Sequence, residues 1–410
     1  MMKRALENPE LISLAAGFVD QASLPVEATR SALLHTLADP DAARAALQYG
    51  STGGSLELRK QLIEHVYNQD RAAAGGALAY RPAEDQVVLT AGSNQILMLL
   101  AEALLDPGDC ILCDAPTYFV FTSMVQSVGG RCVGVAADEH GMRIDALEAE
   151  LASYAARGEL ARIKAIYVMS YFDNPRGVSL APERRAALVA LAERYSRTHR
   201  IYVIEDAAYR ELRYEGDDQL SLMAHDRGHQ SVIYAGTFSK SFAPGLRVGF
   251  GMFPRELTRV VLALKANLDF GSPHLNQSLL SNALRHGLYE PHVQRLRALY
   301  ARKAACMLAA MAAEIAPLAG CHYPHPKGGL YVWLELPPQV ATGPDTVLFA
   351  RACELGVLYV PGEYCFPEGS GETNPRARSS MRLSFGVQSE ERIQAGIRNL
   401  AQAIREQLPG

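Results

Sequence analysis

The chain has 410 residues, 49% hydrophobic and 20% charged, an ordinary composition for a globular protein of one large or two average domains. Lys plus Arg give 40 and Asp plus Glu give 44, and the net charge of -4 argues against nucleic acid as the main partner. No apolar run reaches the roughly 18 residues of a membrane span, and the opening MMKRALENPE lacks the apolar core of a secretory signal. Seven cysteines, odd in number and without a disulfide rhythm, point to free thiols and a cytoplasmic location.

The first 30 or so residues contain Pro9, Gly17 and Pro25, and an arm without a long helix is expected there. Short apolar, β-branched runs follow at Gln86–Ala91, Cys110–Asp114, Cys132–Ala136, Ile163–Met169, Ile201–Glu205, Val232–Ala235 and Leu246–Met252. Runs of this kind suit strands covered on both faces. Helical patterns lie between several of them, at Ser93–Leu105 and Pro182–His199. The alternation predicts an α/β domain with a mainly parallel seven-stranded sheet flanked by helices.

The C-terminal third reads as a smaller α+β domain. Helical segments run from Asn276 to Ala316, with a long helix after Pro291. Short strands are expected at Leu330–Leu336, Val357–Val360 and Met381–Phe385, and a last helix at Ser389–Gln407. The predicted division is an arm over 1–45 lying on the small domain, a large domain over 46–285 and the small domain over 286–410.

Four segments carry chemistry. Gly236–Gly251 reads GTFSKSFAPGLRVGFG, where Thr237, Ser239 and Arg247 surround Lys240 with groups suited to a phosphate. A lysine there, if buried, loses basicity and becomes a nucleophile. Ile201–Tyr209, IYVIEDAAY, ends an apolar strand on Asp206, where ligands of open α/β sheets collect; a plain helix cap is the alternative. Thr90–Asn94, TAGSN, opens a helix and suits an anion through its free N–H groups, or caps that helix. Tyr171–Gly177, YFDNPRG, is a turn.

Taken together and in this order, these segments resemble the fold type I pyridoxal-phosphate aminotransferases, in the 2-aminoadipate/kynurenine/aromatic branch. The resemblance starts at ISLAAGFVDQASLP and LQYGSTGGSLELR and runs through TAGSNQ, DAPTY, YFDNPRG, EDAAY and FSKSFAPGLRVG to RLSF. It implies pyridoxal 5'-phosphate as cofactor and transfer of an amino group from an L-amino acid to a 2-oxo acid. Lys240 would be the Schiff-base lysine and proton shuttle, and Asp206 the partner of the pyridine nitrogen. Asn174 and Tyr209 would bond the ring's phenolic oxygen, and Tyr118 would stack on the ring. Ser93, Asn94, Thr237, Ser239 and Arg247 would hold the phosphate. Tyr49 would reach the cofactor phosphate of the other subunit of a homodimer. Arg382 would grip the substrate carboxylate beside Gly17.

Two departures stand out. Asp173-Asn174-Pro175-Arg176-Gly177 replaces the family's usual Gln-Asn-Pro-Thr-Gly, and Asn94 stands where the branch has Gln. The charges at Asp173 and Arg176 suggest selection for a polar or charged substrate near the cofactor's edge. The plain alternative pairs them with each other across the turn.

Other signals point to no ligand. Cys110 and Cys113 form a CxxC on a strand, where i and i+3 face opposite ways. His322 and His325 sit in a loop without neighbouring acids in sequence, so no metal is expected. Met307–Ile315 reads as core, and neither a dinucleotide fingerprint nor a Walker loop is present. Rival readings are a C–S β-lyase or a decarboxylating or oxidative deaminase on the same scaffold, and a cofactor-binding regulatory domain. The last would need a DNA-binding segment ahead of a match that begins near Leu11.

Overall fold

The computed structural model describes residues 11–78, 80–367 and 374–408. Pro9 and the rest of the first ten residues of the expected arm lie outside them. Within the arm, Ile12–Ser13 forms strand β1. Seven strands match the predicted runs: β2 Val87–Thr90, β3 Cys110–Ala115, β4 Arg131–Asp138, and then, after the short β5 Gly141–Met142, β6 Ile163–Met169, β7 Tyr202–Asp206, β8 Val232–Thr237 and β9 Gly249–Met252. They form one sheet in the order β2-β9-β8-β7-β6-β3-β4-β5. The sheet therefore has eight strands, because the two residues of β5 fold back antiparallel on the end of β4.

The core strands are apolar on both faces. Ile111, Leu112, Ile166, Val203, Ile204 and Ile233 are all buried, as strands under helices on either side must be. β9 runs antiparallel to both neighbours, and β3, β4, β6, β7 and β8 run parallel. It begins at Gly249, three residues later than expected, because Pro244–Leu246 makes a turn of 3-10 helix first. The parallel strands thus end along one edge, where Asp206 pairs in register with Met169 on one side and Ala235 on the other.

A second sheet of three strands, β10 Tyr331–Glu335, β12 Val360–Pro361 and β13 Ser380–Ser384, has the order β10-β13-β12, and β11 Val357–Leu358 pairs with β1. The parallel β1–β11 pairing ties the arm to this part of the chain. Gly396 on the last helix, Glu390–Arg405, permits the contact, since a Cβ there would lie 2.9 Å from Ile12 Cγ2. Ser389 caps that helix by accepting from Arg392 N. The long helix starts at Tyr289, not after Pro291; proline is tolerated in a first turn, where its missing N–H has no intrahelical partner. The helix Val26–Leu37 packs on His274–Arg285, where Asn282 Nδ2 donates to Thr36 Oγ1 at 3.1 Å.

A half-buried charge cluster joins three elements. Glu211 accepts from His65 Nε2 (2.5 Å), Gln69 (2.8 Å) and Arg297 (3.2 Å), which lie on two different helices. Burial alone would raise the Glu211 pKa, but His65, Arg297 and Gln69 reverse this and hold it near 2. Burial likewise disfavours charge on His65, and Glu211 outweighs it, lifting the imidazole above its ordinary 6.5. The His65 contribution is therefore complete below 6.5 and fades as pH rises through the lifted value; the Glu211 contribution fades only as pH falls towards 2. His65→Asn should lower the melting temperature more at about pH 6 than at about pH 9. An equal loss at both pH values in a thermal melt would show that His65 carries no charge in the fold.

Candidate active site

A cavity of about 520 Å³ opens at the carboxyl edge of the parallel strands, between the large sheet, the arm and the β10–β13 sheet. The topology explains the gathering. The loops after β2, β3, β6, β7 and β8 all emerge at one edge and present Ser93 and Asn94, Tyr118, Asn174, Asp206 and Tyr209, and Thr237, Ser239 and Lys240. Arg247 and Gly17 also line the cavity, and Arg382 enters from β13. Every predicted site residue except Tyr49 is on its wall. Tyr49 is 80% exposed on the outside, edge-on to Phe270 with ring centroids 5.6 Å apart.

Lys240 donates from Nζ to Gly17 O at 2.7 Å. Burial lowers its pKa, with Arg382 and Arg247 assisting against a pull from Tyr331, so the amine is poised towards its neutral form. Asp206 is buried and accepts from Tyr167 Oη (3.0 Å) and Ala208 N (3.1 Å). Burial raises its pKa to about 6 despite those two bonds. A carboxylate in that position gains from a cation placed against it.

Ser93, Asn94, Thr237, Ser239 and Arg247 together line the cavity, a set of groups suited to an anion. Ser93 and Asn94 open a 12-residue helix, and the free N–H groups of a helix start favour an anion. Arg247 Nη1 reaches Ser239 Oγ (3.3 Å), and Thr237 Oγ1 donates to the same oxygen (3.1 Å). Gly92 has φ +86° and a Cβ on it would lie 2.6 Å from Arg247 Nη2, so this arrangement requires glycine there. Tyr118 Oη reaches Asn94 Oδ1 at 3.4 Å, and burial pushes its pKa to about 12.

Arg382 is buried. It donates to Asn174 Oδ1 (2.8 Å) and Ala15 O (2.6 Å), and its guanidinium faces the Tyr331 ring at 4.4 Å. Its Nε has no hydrogen-bond partner among the described residues. A buried cation with a spare donor and no carboxylate bonded to it is suited to an anion. Sequence reading passed over Tyr331, Phe18, Phe119, Val120, Val360 and Tyr364, which also line the cavity. Most sit in apolar runs that look like ordinary strand or helix, and only the Gly328-Gly329 pair before Tyr331 hinted at a close approach.

Of the two readings of Asp173 and Arg176, the structure shows the pairing across the turn. Neither lines the cavity. Both are buried behind the turn, where Asp173 Oδ2 accepts from Arg176 Nε (2.8 Å) and Oδ1 caps Arg176 N and Val178 N. Arg176 also approaches Asp114 at 3.6 Å. Their charges cancel inside the protein and serve the turn that offers Asn174. His325 meets an acid only in the fold, where Glu215 comes within 3.1 Å of it from a distant part of the chain. Met307, Met311 and Ile315 are core, as read.

The profile of the family described as Aminotransferase class I and II matches residues 9–400. The chain belongs to that family. This aminotransferase is 31% identical over 405 residues to the aromatic-amino-acid aminotransferase 1 of Thermococcus litoralis, covering 99% of this chain and 90% of that one. It is 33% identical over 403 residues to the 2-aminoadipate transaminase of Thermus thermophilus, covering 97% and 91%. The crystal structure of the Pyrococcus horikoshii kynurenine aminotransferase, complexed with PMP, KYN as substrates and KYA as products, superimposes with a TM-score of 0.88 at 29% identity, covering 100% of this chain and 94% of that one. Pyridoxal-phosphate-dependent transfer of an amino group is the reaction of this aminotransferase.

The aminotransferase should depend on Arg176 for stability and not for selectivity. Arg176→Met leaves Asp173 and Asp114 buried without their cation, and burial already raises the Asp114 pKa to about 7. A loss of about 3 kcal/mol in urea unfolding is expected, with the ranking of amino-acid substrates unchanged. A shifted ranking would return Arg176 to the substrate's neighbourhood.

Proposed function

We propose that the cavity binds pyridoxal phosphate with Lys240 at its aldehyde carbon, and that it takes L-amino acids with aromatic or large apolar side chains. The observation that carries the reading is the pairing of two displaced groups, a buried acid at the sheet edge and an amine of lowered basicity, between an anion cradle and a buried guanidinium. The groups fit the cofactor: the cradle suits a phosphate, and Asp206 suits a protonated ring nitrogen. Bound pyridoxal phosphate supplies an electron sink for negative charge at the substrate's α-carbon.

The residues would divide the work as follows. Ser93, Asn94, Thr237, Ser239 and Arg247 hold the phosphate. Asp206 keeps a proton on the ring nitrogen and thereby stays ionised. Asn174 and Tyr209 donate towards the ring oxygen, and Tyr118 covers the ring face. Arg382, beside Gly17, takes the substrate carboxylate through its fork and orients the α-carbon hydrogen. Lys240 Nζ would take that proton, its amine becoming an ammonium. Phe18, Phe119, Val120, Val360 and Tyr364 line the same cavity and carry no cation. That lining favours an aromatic or apolar side chain over a second carboxylate, in keeping with the names of two of the relatives.

We further propose a cytoplasmic homodimer whose subunits divide into an arm over 1–45, a large domain over 46–285 and a small domain over 286–410. Leu47, Tyr49, Leu268 and Phe270 are 68, 80, 57 and 62% exposed, an apolar grouping that suits contact with a second copy. Tyr49 then serves the partner's phosphate cradle, which accounts for its distance from its own. Seven free cysteines favour a reducing compartment.

Borohydride reduction of the yellow holoenzyme should attach the cofactor to Lys240, and phenylalanine should bleach the visible band faster than aspartate. Peptide mapping that places the adduct on another lysine would remove the site, and aspartate reacting first would remove the substrate class. Sedimentation should show a dimer, with Tyr49→Phe weakening cofactor retention at least several-fold and leaving the dimer intact. A fully active monomer would end the proposed sharing of Tyr49.

A further inference from the structure

Two donors enter the cavity from neighbouring loops, and each is oriented by a second residue. Asn174 Oδ1 accepts from Arg382, so its amide nitrogen is the end left to meet a ligand. Tyr209 has a single hydrogen, and its oxygen lies 3.0 Å from Tyr331 Oη. If Tyr331 donates and Tyr209 accepts, the Tyr209 hydrogen stays free for the cavity and both hydroxyls are used. In either order one hydroxyl hydrogen has no acceptor among the described residues; in the opposite order the Tyr209 hydrogen is spent within the protein and the free one is that of Tyr331.

Tyr331 is held for this task. Its main chain pairs with Ser384 in the β10–β13 ladder. The YFDNPRG turn presses on its carbonyl: a Cβ on Gly177 would sit 2.6 Å from Tyr331 O. Its ring faces the Arg382 guanidinium at 4.4 Å and meets the Tyr209 ring edge-on at 5.7 Å. Its hydroxyl fills the space beside Gly17, where a Cβ would lie 2.6 Å away, and the carbonyl of that same glycine accepts from Lys240. Burial raises the Tyr209 pKa well above its ordinary value, so Tyr209 keeps its hydrogen across the working range of pH.

We propose that Tyr331 is a positioning residue of this site: its hydroxyl donates to Tyr209 and thereby aims the Tyr209 hydrogen at the ring oxygen of the bound cofactor. The inference rests on the cofactor placement proposed above. A donor aimed at that oxygen favours the deprotonated chromophore, which carries more negative charge there. Loss of the aim shifts the balance the other way.

Tyr331→Phe removes the hydroxyl and keeps the ring. In a pH titration of the holoenzyme's visible absorbance, its midpoint should rise by about 0.5 pH unit or more. The kcat should fall severalfold, while the Kd of 3-phenylpropionate, which reports on Arg382, stays within about twofold. In a Tyr209→Phe background the same change should add nothing to the midpoint. A Y331F midpoint equal to that of the wild type, or an equal rise in both backgrounds, would overturn the proposal. Borohydride labelling of Lys240 in Y331F separates these outcomes from failure of the site itself, since a misplaced adduct condemns the cofactor reading and not the role of Tyr331.

Discussion

A guanidinium sealed inside the protein governs this site. Arg382 is 3% exposed, and among the described residues no carboxylate is paired with it. Such a charge is tolerated only when dipoles and π-electrons replace the lost water. Ala15 O, Asn174 Oδ1 and the Tyr331 ring supply them, from the arm, the turn after β6 and β10. Three distant stretches of chain are thus drawn to one point, and the spare Nε keeps a place for an anion.

The same economy of charge shapes the rest of the cavity. Asp206 and Lys240 are both pushed towards their neutral forms by burial, the acid upwards and the amine downwards. Each is under-compensated by the protein alone, and each gains from a ligand that brings the missing partner. A site built this way trades fold stability for binding, and the surrounding structure must be stiff enough to carry the cost.

A second layer of paired charges supports the cavity. Tyr171, at the start of the turn that offers Asn174, lies between the guanidinium groups of Arg185 (4.4 Å) and Arg210 (4.9 Å). Arg185 bonds three carbonyls, of Ser170, Leu180 and Leu220, and Arg210 pairs with Asp70 at 2.6 Å. Asp173 and Arg176 belong to this layer. They sit beside Asn174 in sequence, yet their side chains turn inward, so chain proximity to a site residue was a poor guide to contact with the ligand.

The sequence alone determined the strands, their order along the chain and the grouping of residues around Lys240, because burial on both faces leaves continuous apolar runs and the hydroxyls and the guanidinium near Lys240 lie within ten residues of one another. It determined Asp206 and Asn174 for the same local reason: each ends or follows a strand. Tertiary structure alone decided what touches what across the cavity. The eighth strand, two residues long, leaves no periodic trace, and Pro244–Leu246 took three residues from the expected start of β9 because turn geometry outweighed apolar character. Tyr331 and the inward pairing of Asp173 with Arg176 were illegible for a stronger reason. Both depend on contacts between segments far apart in the chain or on which face of a turn a side chain takes, and neither distance nor direction is written in the spacing of residues.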